Sequence, residues 1–498
     1  MTRIILGTVA ALMASTVCVS AASAGALMKV GVADDGLMQR LPGRAAGTAA
    51  AWQQQGVDQS RLTLVWGLIA PDGTSVKRPI DFDARDHRSR GYDWSAVDTA
   101  VAALRARSIR VELSITTPAP IWASSVPSRR EPTYRPDPTE FGDFVHAAAS
   151  RYGTKVSSYA LINEPNLWQW LTPQWSCSSE AESSCRAASP GIYRELFRAG
   201  YDEVKALTPR TPVWGGSLAP LGTVKRGGPK TSLGPLLFLR RLGCVKENFA
   251  RDRTSSDCRG FKPLSFDAIA HHPHSSWRAP RESNGVADSV TIGTISRLTK
   301  TVDKIQSRGG ILNGSVGGSK AKRKRLDVQV DEYGIQTNPP DGWSGVSLSR
   351  QNDYLQEAAY MMWKNSRVKL FAQYLWQDEA LDKLSITAGS WQSGLYFDDG
   401  TAKPAASSFP NPFWVDLPRR SRRARVWGQV RPGAQTKVTV QSRTIGRAQF
   451  AALRSIKTNQ AGFFSFSAVV KRKTAFRFYY DRDGYGVVTS SVRTVKPR

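Results

Sequence analysis

The chain has 498 residues and a formal charge of +28, with 41% of its residues hydrophobic and 22% charged. That balance excludes a disordered or fibrous chain. Past the first two dozen positions no stretch approaches the roughly 20 uninterrupted apolar residues of a membrane helix, which excludes a bundle of membrane spans.

Residues 1–24 carry Arg3, an apolar run from Ile4 to about Ser20 and the small-residue sequence Ala22-Ser23-Ala24. This is the layout of a secretory signal peptide, so the mature chain is expected to begin near Gly25 and to be secreted, with a retained anchor as the alternative. Cys18 leaves with the leader, and Cys177, Cys185, Cys244 and Cys258 remain. Local bridges 177–185 and 244–258 are expected in an oxidising compartment. A four-thiolate zinc site is the rival pairing, but it would want a Cys-x-x-Cys spacing that the chain lacks.

The remaining 474 residues exceed what one hydrophobic core organises, so two domains are expected. Strand-like apolar runs fall at 28–33, 61–66, 110–115, 158–162, 212–215, 266–271, 326–330 and 369–375. Amphipathic helical segments lie between them at 95–107, 138–151, 192–207, 292–307 and 351–363. Alternation of this kind predicts an α/β fold, an eight-stranded β/α (TIM) barrel over 25–410. An open doubly wound sheet is the rival, but it would want a glycine-rich first turn, and Ala33-Asp34-Asp35-Gly36 is not one.

Pro410-Asn411-Pro412 marks a boundary, and 411–423, with Arg419-Arg420-Ser421-Arg422-Arg423, is expected to be a basic linker. Short β-rich runs follow at 424–430, 436–441, 462–470, 475–480 and 487–492, divided by turns such as Arg431-Pro432-Gly433 and Asp483-Gly484. They predict a small all-β sandwich over 424–498. From Val415 onward 19 Lys or Arg face only Asp416, Asp481 and Asp483. So cationic a surface suits an anionic polymer. Nucleic acid fits the same electrostatics but not an exported chain, so anionic cell-wall polymers or uronic-acid glycans are the expected partner, and a merely soluble domain is the alternative.

Two glutamates end apolar runs: Glu164 in Leu161-Ile162-Asn163-Glu164-Pro165, and Glu332 in Val328-Gln329-Val330-Asp331-Glu332. On the fourth and seventh strands of a barrel both would face the mouth formed by the strand C-termini. A pair of carboxyl groups about 5 Å apart can split a glycosidic bond, one protonating the leaving oxygen and the other attacking the anomeric carbon.

The surroundings of the pair bring in a family. Arg61-Leu62-Thr63-Leu64-Val65-Trp66, Tyr92-Asp93-Trp94-Ser95, Thr116-Thr117-Pro118-Ala119-Pro120, Phe141-Gly142-Asp143-Phe144, Asn163-Glu164-Pro165, Asp331-Glu332-Tyr333-Gly334 and Gly394-Leu395-Tyr396 occur in order. Over most of residues 28–409 the chain resembles the retaining glycoside hydrolases of clan A, the barrel enzymes that include families 5 and 39. The resemblance implies that Glu164 is the acid/base and Glu332 the nucleophile. It further implies that Asn163 holds the sugar 2-hydroxyl, that Arg61 keeps Glu332 ionised, and that Trp376 is the sugar-stacking tryptophan.

Strand six departs from the family, reading His271-His272-Pro273-His274 where His-Pro-Tyr is common. His274 therefore stands where a tyrosine hydroxyl touches the nucleophile. An imidazole can supply that hydrogen bond, and it titrates near neutrality where a phenol does not. His272 is expected in the site beside it. Alternate strand residues share a face, so a zinc site of His272, His274 and a carboxylate is the rival reading, but no His-x-x-x-His or Glu-x-x-His segment adds a third ligand.

Trp122, Trp168, Trp170, Trp277, Trp343 and Trp391 fall in loops or at strand ends, where indole faces can stack on pyranose rings or pack in the core. Asp34, Asp35, Asp378 and Glu379 also fall at strand ends, where surface or supporting roles explain them equally well. The run Lys320-Ala321-Lys322-Arg323-Lys324-Arg325 is read as a solvated loop. The expected protein is thus a secreted retaining glycosidase of oligo- or polysaccharides that needs no metal or organic cofactor. The alternative is a barrel that binds glycan without cleaving it.

Overall fold

The computed structural model describes Gly25 and residues 27–380 and 390–497; the expected signal segment lies outside them. Eight parallel strands close a barrel in chain order: β1 (Lys29–Ala33), β2 (Gln59–Val65), β3 (Arg110–Thr116), β4 (Ser158–Leu161), β5 (Val213–Leu218), β6 (Ala268–His271), β7 (Val328–Tyr333) and β8 (Val368–Tyr374). β1 pairs with both β2 and β8, so no sheet edge is left open. Every residue of β4, β5 and β7 is buried, because one face lines the barrel and the other lies under helices. Inside the barrel Trp214 is surrounded by Ala160, Ala268, Ala270 and Leu370, a large ring fitted among small side chains.

Around the strands run α1 (Ala45–Gln54), α2 (Ser95–Ala106), α3 (Pro138–Tyr152), α4 (Ser189–Leu207), α5 (Pro235–Leu242), α6 (Ile295–Ser307) and α7 (Leu348–Lys364). α3 shows how local sequence sets an end. Asp137 caps it by accepting from the Thr139 and Glu140 amides, and Pro138 occupies the first turn where no amide hydrogen is needed. Helices α1 and α5 were not among the segments expected from periodicity. α1 is mostly alanine and glutamine and buries only Ala45, Ala49 and Trp52, while α5 is eight residues with nearly every side chain buried, so neither carries a clear polar stripe.

The second unit is all β. β9 (Phe413–Asp416), β10 (Arg423–Gln429) and β13 (Phe463–Val469) form one antiparallel sheet. The other is built from β11 (Lys437–Thr444), β12 (Ala451–Lys457), β14 (Thr474–Arg482), β15 (Gly486–Thr489) and β16 (Arg493–Val495). One core joins them, from Phe413, Val415 and Val426 to Phe466, Phe476 and Phe478. The stretch 411–423 is therefore not simply a linker. Phe413-Trp414-Val415-Asp416 alternates as a strand should, and β9 buries Phe413 and Val415 against β10, leaving 417–422 as the connection. β12 escaped the sequence reading because it lies at a sheet edge with almost every side chain exposed, so no alternation marks it.

The two units are packed together. Trp427 of β10, fully buried, lies 5.8 Å from Tyr360 and 5.9 Å from Trp363 of α7, with Phe463 beside it. The Tyr360 hydroxyl donates to Asp416 at 2.8 Å, and Arg493 pairs with Asp353. Cys177 is bonded to Cys185 and Cys244 to Cys258, the expected pairs. Among the described residues no helix is long and apolar enough to cross a membrane. Trp427→Ala should cost about 3–5 kcal/mol, because a buried indole leaves a cavity that its aromatic neighbours cannot close. A denaturation midpoint within error of the parent's would refute this account of the junction.

Candidate active site

Arg61, at the third position of β2, is buried and reaches into the barrel mouth. Its Nη1 lies 2.7 Å from Glu332 Oε1. Its Nη2 donates to Asn163 Oδ1 at 2.6 Å and to Ser114 Oγ at 3.2 Å. Nε faces Asp331 Oδ2 at 3.7 Å and Glu112 Oε1 at 4.0 Å. One guanidinium thus serves β3, β7 and the turn after β4 at once. Its hold on Asn163 Oδ1 leaves that amide's NH2 group to point elsewhere.

Glu332 and Asp331 are adjacent, yet both approach Arg61, which regular strand alternation would forbid. The pairing of β7 with β8 shifts register between Val330 and Tyr333, and this irregularity turns consecutive residues to the same side. Gly334 follows without choice: a Cβ there would lie 1.9 Å from the Tyr374 carbonyl oxygen.

Glu164 is aimed by strained backbone. After β4 the chain takes positive φ at Ile162 (63°) and at Glu164 (38°), conformations disfavoured for side chains with a Cβ and worst for a β-branched one. Hydrogen bonds hold it there. The Ile162 amide donates to Ile115 O, the Asn163 amide to Thr116 Oγ1 and the Glu164 amide to Ser217 O.

His272 links the two glutamates. Its Nδ1 lies 3.0 Å from Glu164 Oε1 and 3.6 Å from Glu332 Oε2, while Nε2 faces Asp331 Oδ2 at 3.5 Å. Burial works against a charged imidazole, but Glu332 and Asp331 outweigh it and hold the His272 pKa well above the ordinary histidine value. Burial alone would likewise raise Glu332; His272, Arg61 and His274 bring it down to about 2. Glu112, fully buried, is pushed well above the carboxylate range by burial and by Asp331, which favours its protonated form. His271 faces away, its Nε2 2.8 Å from Val290 O, and burial lowers it to about 3.

His274 accepts a hydrogen bond at Nδ1 from the Gly334 amide, 3.2 Å away. An amide can only donate, so the neutral ring carries its proton on Nε2, 3.7 Å from Glu332 Oε2. Among the described residues no three His, Cys, Asp or Glu side chains are disposed to hold a metal ion.

Arg61, Asn163, Glu164, His272, His274 and Glu332 thus come together, and Trp376 does not join them. Its ring packs on Trp52 of α1 (6.1 Å), Tyr396 and Phe409, in the layer between barrel and helices. Its amide and that of Gln377 donate to Asp34, a buried clasp on the end of β1. Two residues earlier on the strand, Tyr374 takes the place expected for Trp376. Its ring lies 5.9 Å from His274 and 5.5 Å from Trp391, and burial with the Glu332 charge raises its hydroxyl well above the usual value. Trp391, 5.3 Å from His274, closes this aromatic wall, its amide held by Glu379.

Asp331, Glu112 and Tyr374 were missed from sequence. A carboxyl in the middle of Val111-Glu112-Leu113 was a legible sign of a buried partner; the Asp331 turn and the Tyr374 register had none.

No family model and no curated protein matches the chain. Solved structures resemble it at low identity. A glucosidase from Croceicoccus marinus is 12% identical, covering 94% of this chain and 97% of that one, with a TM-score of 0.48. A fungal beta-1,4-galactanase structure is 13% identical over 77% and 99%, at 0.44. An FMN-binding beta-glucuronidase from Facaelibacterium prausnitzii L2-6 is 11% identical over 95% of this chain, at 0.41, and the chain spans only 56% of its length. At these identities and scores none of them bears on the chemistry of the site, which stands on its own geometry.

Arg61→Met should show the charge balance directly. It strands the Glu332 and Asp331 carboxylates, which is expected to cost about 3–5 kcal/mol at neutral pH. A carboxyl held down to about 2 adds stability that is complete above the ordinary carboxylate range and fades as pH falls toward 2. The variant, which loses Arg61's share of that contribution while His272 and His274 keep theirs, should begin acid unfolding at higher pH than the parent; coincident acid limbs by circular dichroism would contradict the assignment.

Proposed function

We propose that the barrel is a retaining glycosidase in which Glu332 is the nucleophile and Glu164 the acid/base. The observation that carries this is the shared imidazole. With His272 Nδ1 3.0 Å from one glutamate and 3.6 Å from the other, the two facing oxygens are separated by at most about 6.6 Å. That limit admits the roughly 5 Å gap of direct attack by a carboxylate and leaves little room for the intervening water of an inverting site.

Glu332, held ionised by Arg61 and His272, attacks the anomeric carbon while Glu164 protonates the departing oxygen. The ester so formed removes the Glu332 charge. Glu164 then takes a proton from water, which attacks the same carbon and releases the sugar with its original configuration. With its Oδ1 taken by Arg61, Asn163 keeps its NH2 to donate to a sugar hydroxyl beside the reacting carbon, and the Nε2 proton of His274 faces the second Glu332 oxygen. Tyr374 and Trp391 offer a stacking wall in the position expected for Trp376.

The wider reading follows the sequence: 1–24 a leader, a secreted catalytic barrel, and a basic β unit that docks on anionic wall polymer. The two disulfides favour an oxidising compartment. A non-catalytic glycan-binding barrel would have no need of a nucleophile stripped of its proton beside a second carboxyl.

Glu332→Ala should abolish hydrolysis of aryl glycosides and polysaccharides. Glu164→Ala should lose about 10²–10⁴-fold on substrates with poor leaving groups and far less on activated aryl glycosides. Wild-type rates in both variants would end the catalytic assignment. The full chain should sediment with anionic wall polymer at low salt and be released at high salt; retention indifferent to salt would remove the electrostatic role of the β unit.

A further inference from the structure

The exposed tryptophans are sorted by face. Among the described residues the exposed ones are Trp168, Trp277, Trp343 and Trp391, and they follow β4, β6, β7 and β8. All four loops leave the strand C-termini, the end that carries Glu164 and Glu332. Indoles with a large apolar face are not spread over the outer helices or the bottom of the barrel, as chance exposure would leave them.

Two of them line one open groove. Trp277, 54% exposed, and Trp343, 81% exposed, border it together with Asn338, Ser344 and Arg350. Trp277 lies three residues beyond His274, and Trp343 stands on the loop that continues from Glu332. Hydrogen bonds tie that loop to the mouth. Gln336 donates to Ser344 Oγ at 2.8 Å and accepts from the Gln392 amide next to Trp391, and the Thr337 amide donates to Gln392 O.

The backbone that carries the most exposed indole is anchored. Asp341 accepts from the amides of Trp343 and Ser344 and from the Ser344 hydroxyl, and Thr337 bridges to Val346 across the base of the loop. Leaving a large apolar face in water gains nothing by itself. A flat, solvent-facing indole on an anchored loop, beside hydroxyl, amide and guanidinium groups, matches one kind of ligand, a pyranose ring with an apolar face and a hydrogen-bonding rim.

We infer that Trp277 and Trp343 form a sugar-binding platform distal to the two glutamates. A chain of several pyranose units would run from the glutamates past Trp391 onto it. The inference rests on the glycan-binding reading of the barrel, and it deepens that reading by naming an extended polysaccharide, rather than a short glycoside, as the substrate class.

The test uses the full chain and its Trp277→Ala/Trp343→Ala variant, with soluble xylan, galactan, mannan and mixed-linkage glucan as probes. Binding is measured by affinity electrophoresis at high salt, which screens the basic β unit. Both side chains face solvent, so an unchanged thermal midpoint should show the variant folded. At least one polymer should retard the parent, with a dissociation constant at least about tenfold weaker in the variant, as expected for the loss of two stacking contacts. Equal dissociation constants, or no retardation of the parent by any of the four, would overturn the platform. Hydrolysis by the parent is assayed separately. A parent retarded through the two tryptophans that splits neither aryl glycosides nor polymer would keep the platform and remove the catalytic reading.

Discussion

A single buried guanidinium organises the mouth of this barrel. Arg61 lies within ion-pair range of three carboxyl groups, Glu332, Asp331 and Glu112, and hydrogen-bonds Asn163 and Ser114 as well. Several acidic groups so close cannot all be ionised on one cation. The structure divides them. Glu332, with the shortest contact to Arg61 and two imidazoles facing its other oxygen, is held ionised, while Glu112, against the barrel interior, is pushed toward its neutral form. Arg61 cannot share its charge by giving up a proton, as a lysine would when buried among apolar groups. The asymmetry between a committed anion and its neighbours therefore comes from placement and from a cation that does not titrate.

The backbone meets the cost of this crowding. Register slips where β7 passes Asp331 and Glu332, and the turn after β4 places a β-branched residue and Glu164 at positive φ. Both departures occur at strand C-termini, and both let one strand offer two polar side chains to the mouth where regular geometry would offer one. The eight-strand closure below them supplies the stiffness that keeps these conformations in place.

Most of the barrel was legible because its strands are buried on both faces. Continuous apolar runs bounded by amphipathic helices survive in sequence, and all eight expected strands overlap the observed ones. Elements without periodicity were not legible: alanine-rich α1, the short buried α5 and the exposed edge strand β12. The site followed the same rule. Arg61 sits on β2, and Asn163, Glu164, His272, His274 and Glu332 sit at or just beyond strand ends, where the motifs that carry the family resemblance could be placed on the strand pattern. Trp376, expected in the site from the family resemblance, packs instead against Trp52, Tyr396 and Phe409, because the strand pattern cannot tell which of two aromatics, two residues apart, faces inward once the strand has ended. Tyr374 is the last residue of β8 and points to the mouth, and Asp34 draws the following amides toward β1, so Trp376 swings under α1.

His274 shows how a departure in sequence can be absorbed by geometry. An imidazole in place of a tyrosine raises the question of which nitrogen faces the nucleophile, and the strand cannot answer it. The Gly334 amide answers it by donating to Nδ1, which puts the remaining ring proton opposite Glu332. That amide is available because residue 334 is a glycine pressed against the Tyr374 carbonyl, on the strand that also delivers Glu332. Nucleophile and hydrogen-bond donor are thus oriented by one short segment, 332–334. Movement of that segment would shift both together and preserve their relation.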